Sequence, residues 1–267
     1  MTPLPVDAPA KIRVLQVGIS ATSYDEVCRL LAVWGRAGVT GYVAICNVHS
    51  VMEAHNDPAF AHILNGAVIA TPDGMPLVWA MRLCGGKDQK RVYGPDLLVK
   101  FAEFAAGQED LGSYFYGGAE GVADQLAQVL TSRFPGFKVA GIECPPFRAL
   151  TPEEDTAAVE RINKSGAKVV WVGLGAPKQE RWMAEHVDRI KPVMVGVGAA
   201  FDFHTGRVRQ APRWMMRRGL EWLFRLAMEP RRLWRRYLFY NPHFLWHLAG
   251  RAIWGKWAGE TGKEQQQ

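Results

Sequence analysis

Short apolar runs alternate with stretches of helical periodicity along most of the chain. The periodic stretches place apolar residues three or four positions apart, which predicts helices, whereas the short runs have the length of buried strands. Strands that alternate strictly with helices are typical of a doubly wound parallel sheet, so the pattern predicts an α/β fold. The predicted strands cover residues 11–18, 41–46, 66–69, 113–116, 137–142, 168–173 and 192–197, and the predicted helices cover 23–35, 50–64 with a break at Pro58, 77–83, 96–106, 119–133, 151–164 and 177–189.

The pattern changes near the end of the chain. Residues 200–207 are predicted to add a short extended piece, and after Pro212 only helical periodicity remains. Prolines mark the expected ends of these helices, because proline lacks the N–H that a helix interior needs. We therefore predict helices over 214–228, 231–240 and 243–257. The predicted organisation is a disordered segment at 1–10, an α/β core at 11–206, a helical appendage at 207–257 and a disordered tail at 258–267.

Basic and aromatic residues are concentrated in this appendage. The chain has a net charge of +6, but residues 207–257 contain twelve Lys or Arg against two acidic residues, and six of the ten tryptophans. Apolar residues at helical spacing between arginines are typical of an amphipathic helix that lies on an anionic membrane. Because tryptophan favours the membrane interface, we interpret the appendage as a membrane-binding surface, with nucleic acid as the rival partner.

Several classes of protein are disfavoured by what the sequence lacks. No apolar run reaches 18 residues, so no transmembrane helix is predicted, and the Pro-rich N-terminus does not have the pattern of a signal peptide. The four cysteines show no C-x-x-C spacing and are expected to be free thiols in a reducing compartment. We therefore expect a cytoplasmic protein.

A Pro-Asp-Gly turn follows the strand predicted at 66–69. Pro72 and Gly74 stiffen and reverse the backbone on either side of Asp73, which is thereby placed at the carboxyl end of a strand. In open α/β sheets, ligands bind at that edge. A purely structural role as the N-cap of the next helix is equally compatible with the position. Asn47 and His49 end the preceding predicted strand and should lie at the same edge.

Two glycine turns also join strands to helices. Gly173 and Gly175 precede the helix that begins near Pro177, and backbone N–H groups at such a helix start favour anions. Lys178 and Gln179 then lie in its first turn, within reach of a phosphate or a sugar. The dinucleotide fingerprint would require a further glycine where Lys178 stands, and a simple tight turn remains the alternative. The turn at Gly117 is a weaker candidate of the same kind.

The motif content excludes some functional classes and leaves others open at this point. The chain has no Walker A loop, no H-E-x-x-H, no G-x-S-x-G and no D-x-D of the kind that binds a metal–nucleotide complex. Handling of a phosphate leaving group without metal would require arginines. The alternatives are a nicotinamide-dependent oxidoreductase, suggested by the strand–helix alternation alone, and a non-enzymatic membrane- or nucleic-acid-binding protein, suggested by the appendage.

Five sequence blocks occur in the order found in one enzyme family. They are TPDG at 71–74, RVYGPD at 91–96, VGLGAPKQE at 172–180, GVGAAFD at 196–202, and GLEWLFR at 219–225 followed by EPRR at 229–232. On these blocks, the chain resembles the WecG/TagA/CpsF glycosyltransferases (glycosyltransferase family 26) from Lys11 to Tyr237. Residues 46–50 and the appendage are most similar to the GumM-type glucosyltransferases of xanthan-type polysaccharide assembly.

The resemblance implies a Rossmann-like α/β core of the GT-E type with a mobile, basic, membrane-binding helical appendage. It implies inverting, metal-independent transfer of a sugar from a UDP-sugar, of the UDP-glucose or UDP-N-acetylmannosamine type, to a polyprenyl-diphosphate-linked saccharide in cell-surface or exopolysaccharide assembly. The enzyme would be peripheral on the inner face of the bacterial cell membrane. No cofactor and no nucleic-acid partner are implied, and a homo-oligomer is left open.

Motif by motif, the resemblance also implies roles for individual residues. Asp73 would be the general base, and Arg91 would hold the donor or its diphosphate. Three appendage arginines, Arg225, Arg232 and Arg235, would reach the diphosphate. Many members carry Thr at the position of Ile45, so this chain lacks a hydroxyl there. The residues predicted to bind substrate are Asn47, His49, Thr71, Gly74, Gly117, Gly173, Gly175, Lys178 and Gln179.

Overall fold

The computed structural model describes residues 7–253, without the side chains at positions 232, 236 and 251–253. The predicted disordered tail and the first six residues lie outside this range. Within it, the strands are β1 (Lys11–Val14), β2 (Val17–Ser20), β3 (Tyr42–Cys46), β4 (Ile69–Pro72), β5 (Ser113–Gly117), β6 (Val139–Glu143), β7 (Val169–Gly173) and β8 (Val193–Gly196). The helices are α1 (Tyr24–Ala37), α2 (Val48–Asn56), α3 (Pro58–Gly66), α4 (Met75–Leu83), α5 (Gly94–Ala105), α6 (Val122–Arg133), α7 (Pro152–Lys164), α8 (Lys178–His186), α9 (Ala200–His204), α10 (Arg213–Arg217), α11 (Glu221–Met228) and α12 (Pro230–Ile253).

Six of the strands form one parallel sheet in the order β4-β3-β8-β7-β5-β6. The side chains of these strands divide between two apolar layers. One layer is shared with α1, α5 and α6, and the other with α2, α3, α7 and α8. Because both faces are covered, the four inner strands are buried, and three of them, β3, β7 and β8, are almost continuously apolar. The predicted α/β fold is confirmed.

The prediction of one sheet strand over residues 11–18 is wrong. Residues 11–18 do not enter the large sheet; β1 and β2 form a separate antiparallel hairpin instead. The chain reverses at Leu15, which has a positive φ of 56°. The hairpin packs beside β4, where the Ala70 N–H donates to Ser20 Oγ at 3.0 Å. Buried apolar residues on both sides of the reversal, Val14 and Val17, made two short strands resemble one long strand.

The C-terminal predictions are also corrected in detail. Residues 200–204 form the short helix α9 rather than an extended piece, and the helix predicted over 214–228 is divided into α10 and α11 at Gly219, whose φ is 73°. In contrast, α12 continues through Pro242, where two helices were predicted. Phe244 and Leu248, buried against the core beyond that proline, supply the packing that keeps α12 continuous. Positions 254–257 of the last predicted helix lie outside the described residues.

Local helix signals were read correctly elsewhere. Thr151 and Glu154 form a reciprocal capping box at the start of α7. The predicted break at Pro58 separates α2 from α3, and Asp57 caps α3 through hydrogen bonds from Ala59 and Phe60. None of the helices in the range 7–253 is both long and apolar enough to cross a bilayer. The predicted boundary near Gly206 stays a prediction.

Close backbone packing brings the carboxyl ends of β5 and β7 together. A Cβ built on Gly117 would lie 2.7 Å from the carbonyl carbon of Gly173, and Gly117 has a φ of 122°. A side chain at this position is therefore excluded both by the neighbouring backbone and by the backbone conformation. This contact fixes the spacing of the two glycine turns at the sheet edge.

Gly117→Ala is expected to lower the free energy of unfolding by about 2–4 kcal/mol, because positive-φ strain and overpacking against backbone act together. The matched control is Gly121→Ala, where φ is 74° but a Cβ meets no atom within 4 Å. Strain alone should cost the control about 1–2 kcal/mol. Urea unfolding of both variants measures the difference, and equal losses would contradict the steric argument.

Candidate active site

A cavity of about 80 Å³ lies between the carboxyl edge of the sheet and helices α10 to α12. Strand ends and the segment before α5 supply one wall, and the appendage supplies the other. Neither part encloses the cavity alone. The lining residues are Asn47, Val48, His49, Asp73, Gly74, Met75, Pro76, Arg91, Met216, Gly219, Glu221, Trp222, Arg225, Tyr237 and Asn241.

Asp73 is held at the edge by backbone geometry. It follows β4, which pairs in parallel with β3, and its N–H donates to the Cys46 carbonyl at 2.6 Å. The N-cap of α4 is Gly74, with a φ of 89°, and no side chain caps this helix. The alternative interpretation of Asp73 as the cap of α4 is therefore wrong. Its carboxylate contacts Arg91 instead.

Arg91 bridges two carboxylates that are 148 positions apart in the sequence. Its Nε donates to Asp73 Oδ1 at 2.8 Å, and its Nη2 lies 2.7 Å from the same oxygen. The Nη2 group also donates to Glu221 Oε2 at 2.6 Å. The side chains are 13% exposed for Arg91 and Asp73 and 17% for Glu221, so the cluster is largely removed from water.

Burial dominates the titration of Asp73. Desolvation raises the pKa of Asp73 above its usual range, Arg91 opposes this effect, and the negative charge of Glu221 adds to it. Burial alone would lower the pKa of Arg91, but the two carboxylates raise it, so this guanidinium stays charged. One positive charge is thus shared by two negative groups. Asp73 Oδ2 forms no hydrogen bond within the described part of the chain.

Asn47 and His49 begin α2 beside this cluster. The Asn47 side chain caps α2, with its Oδ1 accepting from the Ser50 N–H at 3.2 Å. The His49 ring stacks on Tyr240 of α12, with 5.2 Å between ring centroids. Both predicted residues, together with Gly74, line the cavity. Their roles in binding stay predictions.

Other predicted residues lie elsewhere. Thr71 is fully buried in β4, and its hydroxyl donates to the Val92 carbonyl at 3.4 Å. Gln179 is 3% exposed; its Nε2 donates to Glu180 Oε1 and its Oε1 accepts from the Gly198 N–H, both at 2.9 Å. The amide of Gln179 therefore holds the loop after β8 in this structure, and a direct contact with the donor would require that arrangement to change.

The glycine turns lie farther along the same sheet edge. Gly117 and Gly173 end β5 and β7, and Gly175 precedes α8 with open space at its Cβ position. Lys178 lines a second cavity of about 350 Å³, between α8 and the loop before α7. These residues do not line the cavity that contains Asp73.

The three predicted appendage arginines are also separated. Arg225 lines the cavity, with its guanidinium 5.6 Å from the ring centroid of Phe203. Arg235 is exposed and lies over Trp234 instead. The side chain of Arg232 lies outside the described residues.

The family model described as "Glycosyl transferase WecG/TagA/CpsF family" matches residues 12–258. The chain belongs to this family. It is 30% identical over 198 residues to an N-acetylglucosaminyldiphosphoundecaprenol N-acetyl-beta-D-mannosaminyltransferase of Bacillus spizizenii, covering 74% of each chain. It is 28% identical over 197 residues to the Bacillus subtilis enzyme of the same name, covering 73% of this chain and 74% of the relative. The protein is therefore a sugar-transferring enzyme, and the oxidoreductase and non-enzymatic alternatives are wrong.

The cavity of this glycosyltransferase is also lined by residues that sequence reasoning missed. Glu221 and Trp222 lie in the GLEWLFR motif at 219–225, which contributes to the family resemblance, yet only Arg225 of that motif was assigned a role. Tyr237 and Asn241 reach the cavity from α12. Glu221 carried one usable signal, since it is one of only two acidic residues in the strongly basic segment 207–257.

Asp73→Asn is expected to stabilise the fold at neutral pH. The pKa of folded Asp73 is raised, so the free energy of unfolding falls as the pH rises from the ordinary Asp value towards the folded one. Asparagine does not ionise and avoids this loss. Thermal unfolding at pH 7 should give a higher Tm for the variant, and the difference should shrink below about pH 4.

Asp110→Asn is the matched control for this measurement. Asp110 is also held by an arginine, Arg36, but it is exposed, and the hydrogen bond from Arg36 lowers its pKa. No gain in Tm at pH 7 is expected for the control. A lower Tm for Asp73→Asn than for the unchanged enzyme would contradict the desolvation argument.

Proposed function

We propose that this glycosyltransferase moves a sugar from a UDP-sugar to a polyprenyl-diphosphate-linked saccharide, with inversion at C1 and without a metal ion. The observation that carries the proposal is the convergence of Asp73, Arg91 and Arg225 in one cavity at the sheet edge. A carboxylate beside two guanidinium groups provides a base and a binding site for a diphosphate.

Asp73 is the proposed general base. Arg91 occupies only Oδ1, so Oδ2 can accept the proton of an acceptor hydroxyl as that oxygen attacks C1 of the donor. The C1–O bond to the UDP breaks on the opposite face, which inverts the configuration. The raised pKa lies closer to neutral pH than the ordinary Asp value does, and it makes the carboxylate a stronger base.

Arginines are the proposed source of positive charge for the leaving diphosphate. Arg225 forms no ion pair with a carboxylate within the described range, so its charge is available to a phosphate. Burial alone would lower the pKa of Arg225, but Tyr237 and Glu221 are among the groups that raise it, which keeps it protonated. Arg91 and the predicted contributors Arg232 and Arg235 complete the proposed set.

The donor is proposed to lie along the carboxyl edge of the sheet. Strands β4 and β7 are three strand spacings apart, which is about 14 Å. An extended nucleoside diphosphate sugar could span this distance, with C1 beside Asp73 and the nucleotide near Gly117, Gly173 and Gly175. Lys178 follows these turns at the start of α8. Thr71 and Gln179 are buried, so they would support this sheet edge from within the core and would not form part of its open surface.

The acceptor is proposed from the names of the relatives. The two Bacillus enzymes are named for an N-acetylglucosaminyl diphosphoundecaprenol acceptor and an N-acetylmannosaminyl product. A lipid-linked N-acetylglucosamine diphosphate is accordingly the first acceptor to test. For the donor, both UDP-N-acetylmannosamine and UDP-glucose are retained, the latter from the GumM-type resemblance.

The appendage is proposed to rest on the anionic inner face of the cell membrane. Large apolar side chains that are mostly half or more exposed project from it among arginines, a composition typical of interfacial helices. The exposed set is Trp214, Leu223, Met228, Trp234, Leu238, Phe239, Leu245 and Trp246.

Incubation of the purified enzyme with a panel of UDP-sugars and a synthetic polyprenyl-diphosphate N-acetylglucosamine tests the reaction. We expect one donor to give a single added sugar of inverted anomeric configuration, measured by mass spectrometry and NMR of the product. Turnover should be the same with EDTA. Asp73→Asn should lower kcat by about 10²–10⁴ while UDP binding is retained, whereas Asp110→Asn should not change kcat.

Three outcomes would contradict the proposal. Full turnover by Asp73→Asn would remove Asp73 as the base. Loss of activity in EDTA, restored by Mg²⁺, would replace the metal-free mechanism. Transfer to no lipid-linked acceptor with any UDP-sugar in the panel would contradict the proposed substrate pair.

The membrane proposal predicts weaker vesicle binding when exposed appendage side chains are truncated. Leu245→Ala combined with Trp246→Ala should reduce sedimentation with phosphatidylglycerol vesicles several-fold, because apolar area is lost from the interface. The control pair is Leu83→Ala with Phe147→Ala, which removes apolar side chains that are at least as exposed but lie on the surface of the α/β part of the chain. Equal losses in the two pairs would exclude the appendage as the specific surface.

A further inference from the structure

The second carboxylate on Arg91 has no part in the proposed chemistry. Glu221 lies 130 residues from Arg91 in the sequence and reaches it from α11 of the appendage. Its Oε2 accepts a hydrogen bond from the same Nη2 group that contacts Asp73. Asp73, Arg91 and Glu221 therefore form one continuous chain of charged contacts from the end of β4 to the appendage.

The contact with Glu221 is important for the orientation of the Arg91 guanidinium. Both of its contacts with Asp73 converge on a single oxygen, Oδ1, about which a guanidinium could pivot. Glu221 holds the planar group at a second point, and the ring of Tyr93, with its centroid 4.2 Å from Arg91 Cζ, supports one face. With its plane fixed, Arg91 can hold Oδ1 while leaving Oδ2 available.

Close packing determines where Glu221 lies. Two residues before it, Gly219 turns the chain with a φ of 73°, and a Cβ built there would lie 2.9 Å from the Trp79 ring and 3.2 Å from Met75 Cβ. Both neighbours belong to α4, the helix that begins directly after Asp73 and Gly74. The positions of Glu221 and of Asp73 are thus both fixed relative to the same short helix, α4.

We propose that Glu221 is a positioning residue that acts through Arg91 on Asp73, so that packing of the Gly219 turn, directly before α11, against α4 brings the base into its working arrangement. The proposal rests on the proposed function only in taking Asp73 as that base. The contact chain and its effect on the Asp73 carboxyl can be measured without any substrate.

The effect of the Glu221 charge has a definite sign. Asp73 feels negative charge from Glu221 and positive charge from Arg91 and Arg225, within a desolvated setting. Loss of the Glu221 charge leaves the positive groups in excess, so the Asp73 carboxyl should ionise at lower pH. The titratable and charged groups placed around it are Tyr24 on α1, Cys46 at the end of β3, His49 on α2, Arg91 and Tyr93 before α5, and Glu221 and Arg225 on α11.

Carboxyl-carbon NMR titration of the full chain is the direct test. The Asp73 signal is assigned by its absence in Asp73→Asn. Glu221→Gln keeps an acceptor oxygen for Arg91 but removes the charge, and should lower the Asp73 pKa by roughly one pH unit. Glu221→Ala removes the contact and should abolish the slow solvent exchange of the Arg91 Nε–H. An unchanged Asp73 pKa together with an unchanged Arg91 signal would overturn the proposal.

Glu160→Gln is the matched control. Glu160 also pairs with a cation, Lys164, but the pair is exposed on α7. The control should leave the Asp73 pKa and the Arg91 Nε–H exchange unchanged. An equal shift in the control would show that the effect is not carried by Arg91, and would also overturn the proposal.

Kinetics with the active donor give an independent readout. Glu221→Ala should lower kcat roughly ten- to a hundredfold with little change in donor KM, since it misplaces the base rather than removing a donor contact. In the Asp73→Asn background the same substitution should lower kcat no further. Additive losses would mean that Glu221 acts by another route. A failed substrate panel would refute the proposed function but leave the NMR result decisive.

Discussion

A single guanidinium held between two carboxylates joins the two walls of the candidate active site. Arg91 lies in a cluster where all three side chains are less than one-fifth exposed, and where negative groups outnumber the positive one. Charges of this kind are stable away from water only while each keeps its partner. In the same arrangement the pKa of the Asp73 carboxyl is raised, so the cohesion of the structure and the ionisation of Asp73 depend on one set of contacts.

The parallel sheet explains why the site lies at one edge. Each strand of a parallel sheet ends on the same side, so the residues after β3 and β4 meet although a whole helix pair separates them in sequence. The sheet alone offers an open rim. The appendage encloses that rim with Glu221, Arg225 and aromatic side chains, so the sheet edge becomes one wall of an enclosed cavity that contains charged groups.

The sequence was informative where a signal is local and less so where it is not. Periodicity placed nearly every core helix and strand, and turn chemistry identified Asp73 and Asn47 at the rim. The hairpin within 11–18 was missed because two apolar strands of four residues resemble one of eight. Pro242 was read as a helix end, but buried Phe244 and Leu248 override that preference. Gln179 looked accessible from its place in a first turn, whereas packing buries it. Glu221 could not be found from spacing, because its partner is 130 residues away.

Because α12 is continuous, it fixes the distance between the residues at its two ends. A helix of 24 residues is about 36 Å long. One part of this helix carries Tyr237 and Asn241, which line the cavity, and a later part carries Leu245 and Trp246, which are exposed. The distance between these outer side chains and the Asp73 carboxylate is therefore set by the length of the helix. Under the proposed function, this distance would determine how far from its lipid anchor an acceptor sugar must lie to be extended.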